Sequence, residues 1–402
     1  MNGKKSVKDI DVAGRTVLVR VDFNVPFRPG TREVSDDGRI RASLPTLEYL
    51  LARDCKLVVC SHLGRPKGQV VEDMKLAPVS ARLSELLGKA VAQAPDCVGP
   101  EVESAVAAIP SGDVLMLENL RFHVGEEKND PAFAKGLASL ADVYVNDAFG
   151  TAHRAHASTQ GVTRYLPSVA GFLMARELEM LGMALDNPKR PLAAIMGGAK
   201  VSDKIAVLER LVEMADLILI GGGMAATFLK AQGHEIGDSL IEGERVGFAS
   251  DLIARCRPGK PRLLLPSDVV MADRFVGDAE ARTASVSEIT AGWRVLDIGP
   301  ETVDAFGEAL RTCRTVIWNG PMGVFEWPAF AQGTVSIANT LAAMNDAVTV
   351  VGGGSTAEAV EGLGLSGKMT HVSTGGGASL EFMEGRELPG VAALLDADSQ
   401  KA

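Results

Sequence analysis

A chain of 402 residues with a formal net charge of -10 is no general nucleic-acid binder, because that task needs a basic surface. Its 46% hydrophobic residues suffice for two large cores, and aromatics at only 5% suit aliphatic parallel sheets covered by helices. No apolar run approaches the roughly 20 residues of a membrane span, and the N-terminal MNGKKSVKDI lacks the apolar core of a signal peptide. Cys55, Cys60, Cys97, Cys256 and Cys313 form neither a CxxC pair nor a metal-ligand spacing. The expectation is a soluble cytoplasmic protein with free thiols and no nucleic-acid or membrane partner.

Residues 16–23, TVLVRVDF, predict the first strand, followed by Asn24, Val25, Pro26 and a polar loop carrying Arg39 and Arg41. A helix includes residues 47–51. Residues 56–60 form the next strand, ending in Ser61-His62-Leu63-Gly64-Arg65-Pro66. A helix over 77–87, a strand over 114–117 ending in Glu118-Asn119-Leu120-Arg121-Phe122, a helix over 131–140 and a strand over 143–145 follow. The alternation indicates a doubly wound α/β domain. Arg20, Arg39, Arg65, Arg121 and Arg154 all sit at or just beyond strand ends. Parallel strands share their carboxyl edge, so these arginines are expected to converge despite the acidic total. Residues 166–185 have an apolar side compatible with a bridging helix, which Asn187-Pro188 ends.

The second half repeats the alternation with different loops. Residues 192–223, LAAIMGGAKVSDKIAVLERLVEMADLILIGGG, predict a strand, a glycine turn, a helix and a second strand. Ser202 is placed to cap that helix, and Lys200 and Lys204, four apart, can share one side of its start. Other strand ends are Asn319-Gly320-Pro321-Met322-Gly323, Gly352-Gly353-Gly354 and Gly375-Gly376-Gly377. Glycine lets backbone approach a ligand, so one half offers arginines and the other bare amides with two lysines. Both sets suit phosphate.

Some motifs mislead. Residues 362–367 fit G-x-G-x-x-G but follow a helix and lead into a strand, the reverse of a dinucleotide fingerprint, and Met369 spoils a phosphate loop. His153 and His156 lack an accompanying carboxylate or cysteine cluster, so packing or a substrate-side role is preferred to zinc. No serine nucleophile elbow is present.

Seven motifs together closely resemble the phosphoglycerate kinase family: RVDFNVP from Arg20, SHLGRP from Ser61, LENLRF from Leu117, DAFGTAHRAHAS from Asp147, GGAKVSDK from Gly197, WNGPMGVFE from Trp318 and STGGGASLEFMEG from Ser373. They occur in the family's order across residues 17–388. The resemblance implies two doubly wound parallel-sheet α/β domains joined by a hinge helix. The expected boundaries are 1–167 for phosphoglycerate binding, 168–186 for the hinge helix and 187–384 for nucleotide binding. A tail from about 385 to 402 is expected to pack back on the first domain. The implied activity is reversible phosphoryl transfer between 1,3-bisphosphoglycerate and ADP, giving 3-phosphoglycerate and ATP, with magnesium on the nucleotide and hinge closure in a monomer. Carried over by motif, Asp22, Phe23, Asn24, Arg39, His62, Arg65, Arg121 and Arg154 bind the triose. Arg39, Lys200, Gly353 and Gly376 act at the transfer point. Lys204, Glu326, Gly352, Gly353, Gly354 and Ser355 bind nucleotide. No residue is assigned as a metal ligand, because Ser355 stands where the family usually has aspartate. The loop between Pro26 and Arg39 is slightly longer than usual. The competing reading is a non-catalytic two-lobed anion-binding protein, which has no need of Lys200, Lys204, glycine amides and Glu326 together.

Overall fold

The computed structural model describes residues 3–256 and 261–397. The chain divides into two compact units. One runs up to Glu179 and includes the segment from Glu387 onward; the other spans Met180 to Arg386.

The first unit is built on six parallel strands: β1 (Thr16–Val21), β2 (Lys56–Cys60), β3 (Val91–Gln93), β4 (Val114–Met116), β5 (Val143–Asp147) and β6 (Ser168–Ala170), in the order β3-β4-β2-β1-β5-β6. Central β1 pairs Val19 with Val59 on one side and with Val145 on the other. Helices cover both faces, which explains why β1, β2 and β5 are near-continuous buried runs without alternation. The order reverses at β1, between β2 and β5, the position at which open α/β sheets place their ligands.

Helix Ala77–Leu87 starts with proline in its first turn and stops at Gly88, whose φ of 62° ends the helix in a left-handed residue. Helix Gly38–Leu51 departs from expectation: Arg39 and Arg41 lie in its first turn, not in a loop. Two features hide this start. Pro45 sits inside the helix, and Asp37 at the cap position bonds Arg41 (2.8 Å) and Arg82 (2.6 Å) instead of the helix amides. The bridging helix also begins later than expected, at Phe172, because Ser168–Ala170 pairs with β5 as an edge strand. The boundary between the units falls inside this helix.

The segment from Glu387 lies on the first unit. Leu395 N–H donates to Ser168 O (2.9 Å), Gly390 N–H to Ala152 O (2.8 Å) and Lys4 Nζ pairs with Asp396 (2.7 Å). The last part of the expected tail, 398–402, lies outside the described residues.

The second unit adds β7 (Leu192–Met196), β8 (Leu217–Ile220), β9 (Arg262–Leu264), β10 (Asp268–Ala272), β11 (Ala281–Ser285), β12 (Arg294–Ile298), β13 (Thr315–Asn319), β14 (Val348–Gly352) and β15 (His371–Val372). Six of these form a parallel sheet, β15-β14-β13-β7-β8-β9. The other three form a separate antiparallel sheet, β11-β10-β12, which the alternation of strands and helices did not predict. Buried Trp318, Phe306, Ile195 and Leu219 anchor the core around the parallel sheet. None of the described helices is long and apolar enough to cross a membrane, and all five cysteines are free and buried.

Asp147, at the end of β5, is fully buried and accepts from Leu173 N–H (2.9 Å) and Met174 N–H (3.3 Å) with one oxygen. It therefore holds the first turn of the bridging helix. Burial raises its pKa from 3.8 to about 7, against the lowering effect of Thr46 and these amides. A carboxyl raised in the folded state costs stability as pH climbs from about 4 to 7. Asp147→Asn keeps the accepting oxygen but cannot ionise. Urea unfolding at pH 5 and pH 8 should show the variant's stability changing less with pH, by about 1 kcal/mol or more, with the gain at pH 8. An unchanged slope would contradict this.

Candidate functional site

The carboxyl ends of β1, β2, β4 and β5 deliver the expected residues to one edge of the first sheet. Asp22 accepts from Arg39 Nη1 (2.7 Å), and its second oxygen is buried without a hydrogen bond, 3.7 Å from His62 Nδ1. Asn24 Oδ1 takes the amide of Gly64 (2.8 Å), and Arg121 Nη1 holds the Gly64 carbonyl (2.7 Å). Arg121 is 5% exposed; its backbone amide bonds Asn119 Oδ1 (3.1 Å), and Asn119 Nδ2 reaches back to Leu63 O (2.7 Å). The turn holding His62 and Gly64 is thus tied to the ends of both β1 and β4.

His62 lies where the arginines meet. Burial pushes its pKa well below 6.5, and Arg20, Arg121, Arg39 and Arg154 push it further. His156 is lowered to about 3, first by burial and then by Arg121, Arg20 and Arg154. Both imidazoles are therefore neutral at physiological pH. Four of the five arginines noted in the sequence bear on one histidine, and this convergence is local in an acidic chain. Arg65 is exposed beyond the Gly64 turn. Arg20 differs from expectation, since it is 1% exposed within β1 and so belongs to the scaffold. Phe23 is likewise fully buried in the core; its backbone amide donates to Ser61 Oγ (2.9 Å).

Sequence reasoning missed Glu126. It is fully buried on Val124–Glu127 and bonds Ser158 twice. His156 therefore does have a carboxylate nearby, 3.8 Å from Nδ1. The EE pair in VGEEKND was the available signal, but a charge pair in a polar stretch looks solvated. Among the described residues, Asp96, Cys97 and His123 form a further trio of donor types. Its members are already engaged, His123 Nε2 with Asp96 Oδ1 (2.5 Å) and Cys97 Sγ with Glu118 O (3.0 Å).

In the second unit the glycine-rich strand ends serve two different purposes. Those after β7, β8 and β13 pack backbone against backbone. A Cβ at Gly197 would lie 2.2 Å from Pro321 O, and one at Gly320, where φ is 98°, 2.2 Å from Gly197 O. After β14 and β15 the backbone is open at Gly354 and Gly376. Gly353 (φ 88°) precedes helix Gly354–Gly362, Gly376 (φ 45°) precedes Gly377–Met383, and a Cβ at Gly354 or Gly376 would meet nothing within 4 Å. Gly352 ends β14, paired with Asn319.

The two lysines part company. Lys200 is exposed on the turn after β7, whereas Lys204 is buried and bonds Asn319 Oδ1. Burial lowers Lys204 to about 8, with Asp203 opposing. Neither lies within the α-helix, which begins at Ile205 after a short 3₁₀ turn, Ser202–Lys204. Ser202 does not cap it. Its amide donates to Glu242 (2.9 Å), a partner too distant in sequence to foresee. Beside these turns lies a cleft of about 580 Å³ lined by Gly198, Gly223, Leu240, Phe275, Glu326 and Ser355, among others. Its apolar wall with a few polar groups suits a flat heterocycle joined to a charged tail.

Comparison with known proteins agrees with this geometry. The family model described as phosphoglycerate kinase matches residues 7–386. A phosphoglycerate kinase of Pelotomaculum thermopropionicum is 58% identical over 98% of this chain and 99% of its own length. One of Moorella thermoacetica is 56% identical over the same shares. The solved structure of phosphoglycerate kinase from Coxiella burnetii superposes with a TM-score of 0.86 at 39% identity, covering 97% of this chain and 98% of that one.

The two classes of glycine separate by stability. Gly320→Ala forces a side chain onto the Gly197 carbonyl and should cost roughly 3 kcal/mol or more, whereas Gly354→Ala should stay within about 1 kcal/mol. Urea midpoints measure both. Equal costs would mean that the turns after β7 and β13 are not in close contact.

Proposed function

As a member of the phosphoglycerate kinase family this chain transfers a phosphoryl group reversibly between 1,3-bisphosphoglycerate and ADP, and we propose that its first unit holds the triose and its second the magnesium-bound nucleotide. The observation that carries the first half is the gathering of Arg20, Arg39, Arg121 and Arg154 about a neutral His62. Guanidinium forks match the carboxylate and phosphate of a small acid. The free Asp22 oxygen is an acceptor for the substrate hydroxyl, while Asn24 and Arg65, beside the same turn, complete the set; Phe23 contributes through backbone alone. No observation favours a non-catalytic binding protein.

In the second unit the cleft takes the base and ribose, with Glu326 accepting from ribose hydroxyls, while Lys204 and the Gly352, Gly353 and Gly354 turn meet the phosphates. The magnesium enters as part of the nucleotide. It prefers oxygen ligands and keeps several waters. Of this chain's side chains at the turn, the Ser355 hydroxyl would be a weak ligand to it, and the metal would supply neutralisation of the phosphate charge. Ser355 is the second residue of helix Gly354–Gly362, which Gly353 precedes, so its side chain is not committed to capping.

The transfer itself is direct. An oxygen of the ADP β-phosphate attacks the acyl-phosphate phosphorus in line, the phosphorus–carboxyl oxygen bond breaks, and the electron pair leaves on the carboxylate of 3-phosphoglycerate. Such a reaction needs positioning and charge neutralisation more than covalent help. Lys200 and Arg39 supply positive charge to the oxygens in flight, and the amides near Gly353 and Gly376 supply donors. Donor and acceptor start on different units, so closure about the bridging helix brings them together and excludes water. The same reading makes the enzyme a cytoplasmic monomer, consistent with five free, buried thiols.

Two measurements test these roles. Lys200→Ala should lower kcat by roughly 100-fold or more with little change in the KM for nucleotide, whereas Arg121→Ala should chiefly raise the KM for 3-phosphoglycerate. Near-normal turnover in Lys200→Ala would remove it from the transfer point. Lys204 binds phosphate as the ammonium, so the KM for ATP should rise as pH passes about 8. Lys204→Arg, which does not titrate there, should flatten that limb. A wild-type KM that is level from pH 7 to 9 would contradict the assignment.

A further inference from the structure

Glu126 is a fully buried carboxylate inside a cluster of cations, and the transfer chemistry above gives it no task. It accepts from the backbone amide of Ser158 (3.0 Å) with one oxygen and from Ser158 Oγ (2.6 Å) with the other. Ser158 Oγ in turn accepts from Arg20 Nε (3.0 Å). Arg20 also donates to Val21 O, and its Nη2 lies 3.2 Å from His62 Nδ1. A guanidinium can only donate, so His62 Nδ1 must be the acceptor. A neutral ring then carries its proton on Nε2. The alternative partner for Nδ1, Asp22 Oδ1, stands 3.7 Å away, too far for a hydrogen bond.

We infer that Glu126, acting through Ser158 and Arg20, is a positioning residue that fixes His62 as the neutral Nε2–H tautomer, a ready hydrogen-bond donor for an oxygen of the triose. The inference rests on the triose assignment above. The physical reason lies in Arg20, which is 1% exposed. A buried guanidinium needs an opposite charge nearby. Glu126 supplies it without touching Arg20, because Ser158 stands between them. The arrangement leaves the Arg20 Nη2 edge directed at the histidine, where a direct carboxylate pair would have captured the fork. It also leaves Arg121, Arg39 and Arg154 unclaimed by Glu126's hydrogen bonds and able to meet the substrate.

Glu126→Gln removes the charge with little change of shape, and Ser158→Ala removes the bridge while keeping the carboxylate. Ring nitrogen shifts of histidine-labelled full-length enzyme report the tautomer, and steady-state kinetics report the two KM values. The wild type should show His62 as Nε2–H. Both variants should move part of the population to Nδ1–H and raise the KM for 3-phosphoglycerate by roughly five- to tenfold, with the KM for ATP within about twofold. If Glu126→Gln does not fold, Ser158→Ala decides alone. A retained Nε2–H pattern, or an unchanged triose KM, overturns the inference if Arg121→Ala raises that KM in the same assay. If Arg121→Ala leaves it unchanged, the triose assignment fails, and this inference with it.

Discussion

A parallel sheet ends all its strands on one edge, and most of what this protein can do follows from that constraint. In the first unit the edge brings together arginines scattered from Arg20 to Arg154, in a chain whose net charge is -10. Like charges at such spacing repel strongly in a buried setting. The cluster persists because its neighbours are chosen to offset it. Asp22 binds Arg39, Glu126 balances Arg20 through Ser158, and the two histidines are held neutral, so they add no further charge. The remaining imbalance is positive, which supports the proposal that this edge takes a small acid bearing both a carboxylate and a phosphate.

The second unit meets the same constraint with glycine. Three of its turns are so close that only glycine fits, and their contact sets the floor of the cleft. Two others leave their backbone open at the start of helices, which supports the proposal that the unsatisfied amides there meet phosphate oxygens. Of the two lysines at these turns, Lys204 is the buried one, and its burial against Asn319 keeps it close to losing its proton.

Much of this was legible in the sequence. Strand-end motifs are contiguous, so RVDFNVP or GGAKVSDK reveals its place on the sheet edge without any knowledge of the fold. The elements that escaped depend on long-range partners. Helix Gly38–Leu51 was hidden because Asp37 spends its carboxylate on Arg82, 45 residues away. The edge strand Ser168–Ala170 is too short to show a period, and β10, β11 and β12 form an antiparallel sheet inside a run that alternates like its surroundings. Burial is likewise invisible: Lys200 and Lys204 look equivalent in the sequence, yet one is exposed and the other enclosed. Glu126 escaped for the same reason, since nothing local distinguishes a buried glutamate from a solvated one.

The central claim is that each unit carries half of a site and that neither half is competent alone. Small-angle scattering of the enzyme without ligand, with 3-phosphoglycerate, with magnesium–ATP analogue, and with both tests it directly. The account predicts a radius of gyration that falls most with both ligands together, by more than the sum of the single-ligand changes. Four superimposable profiles would contradict it.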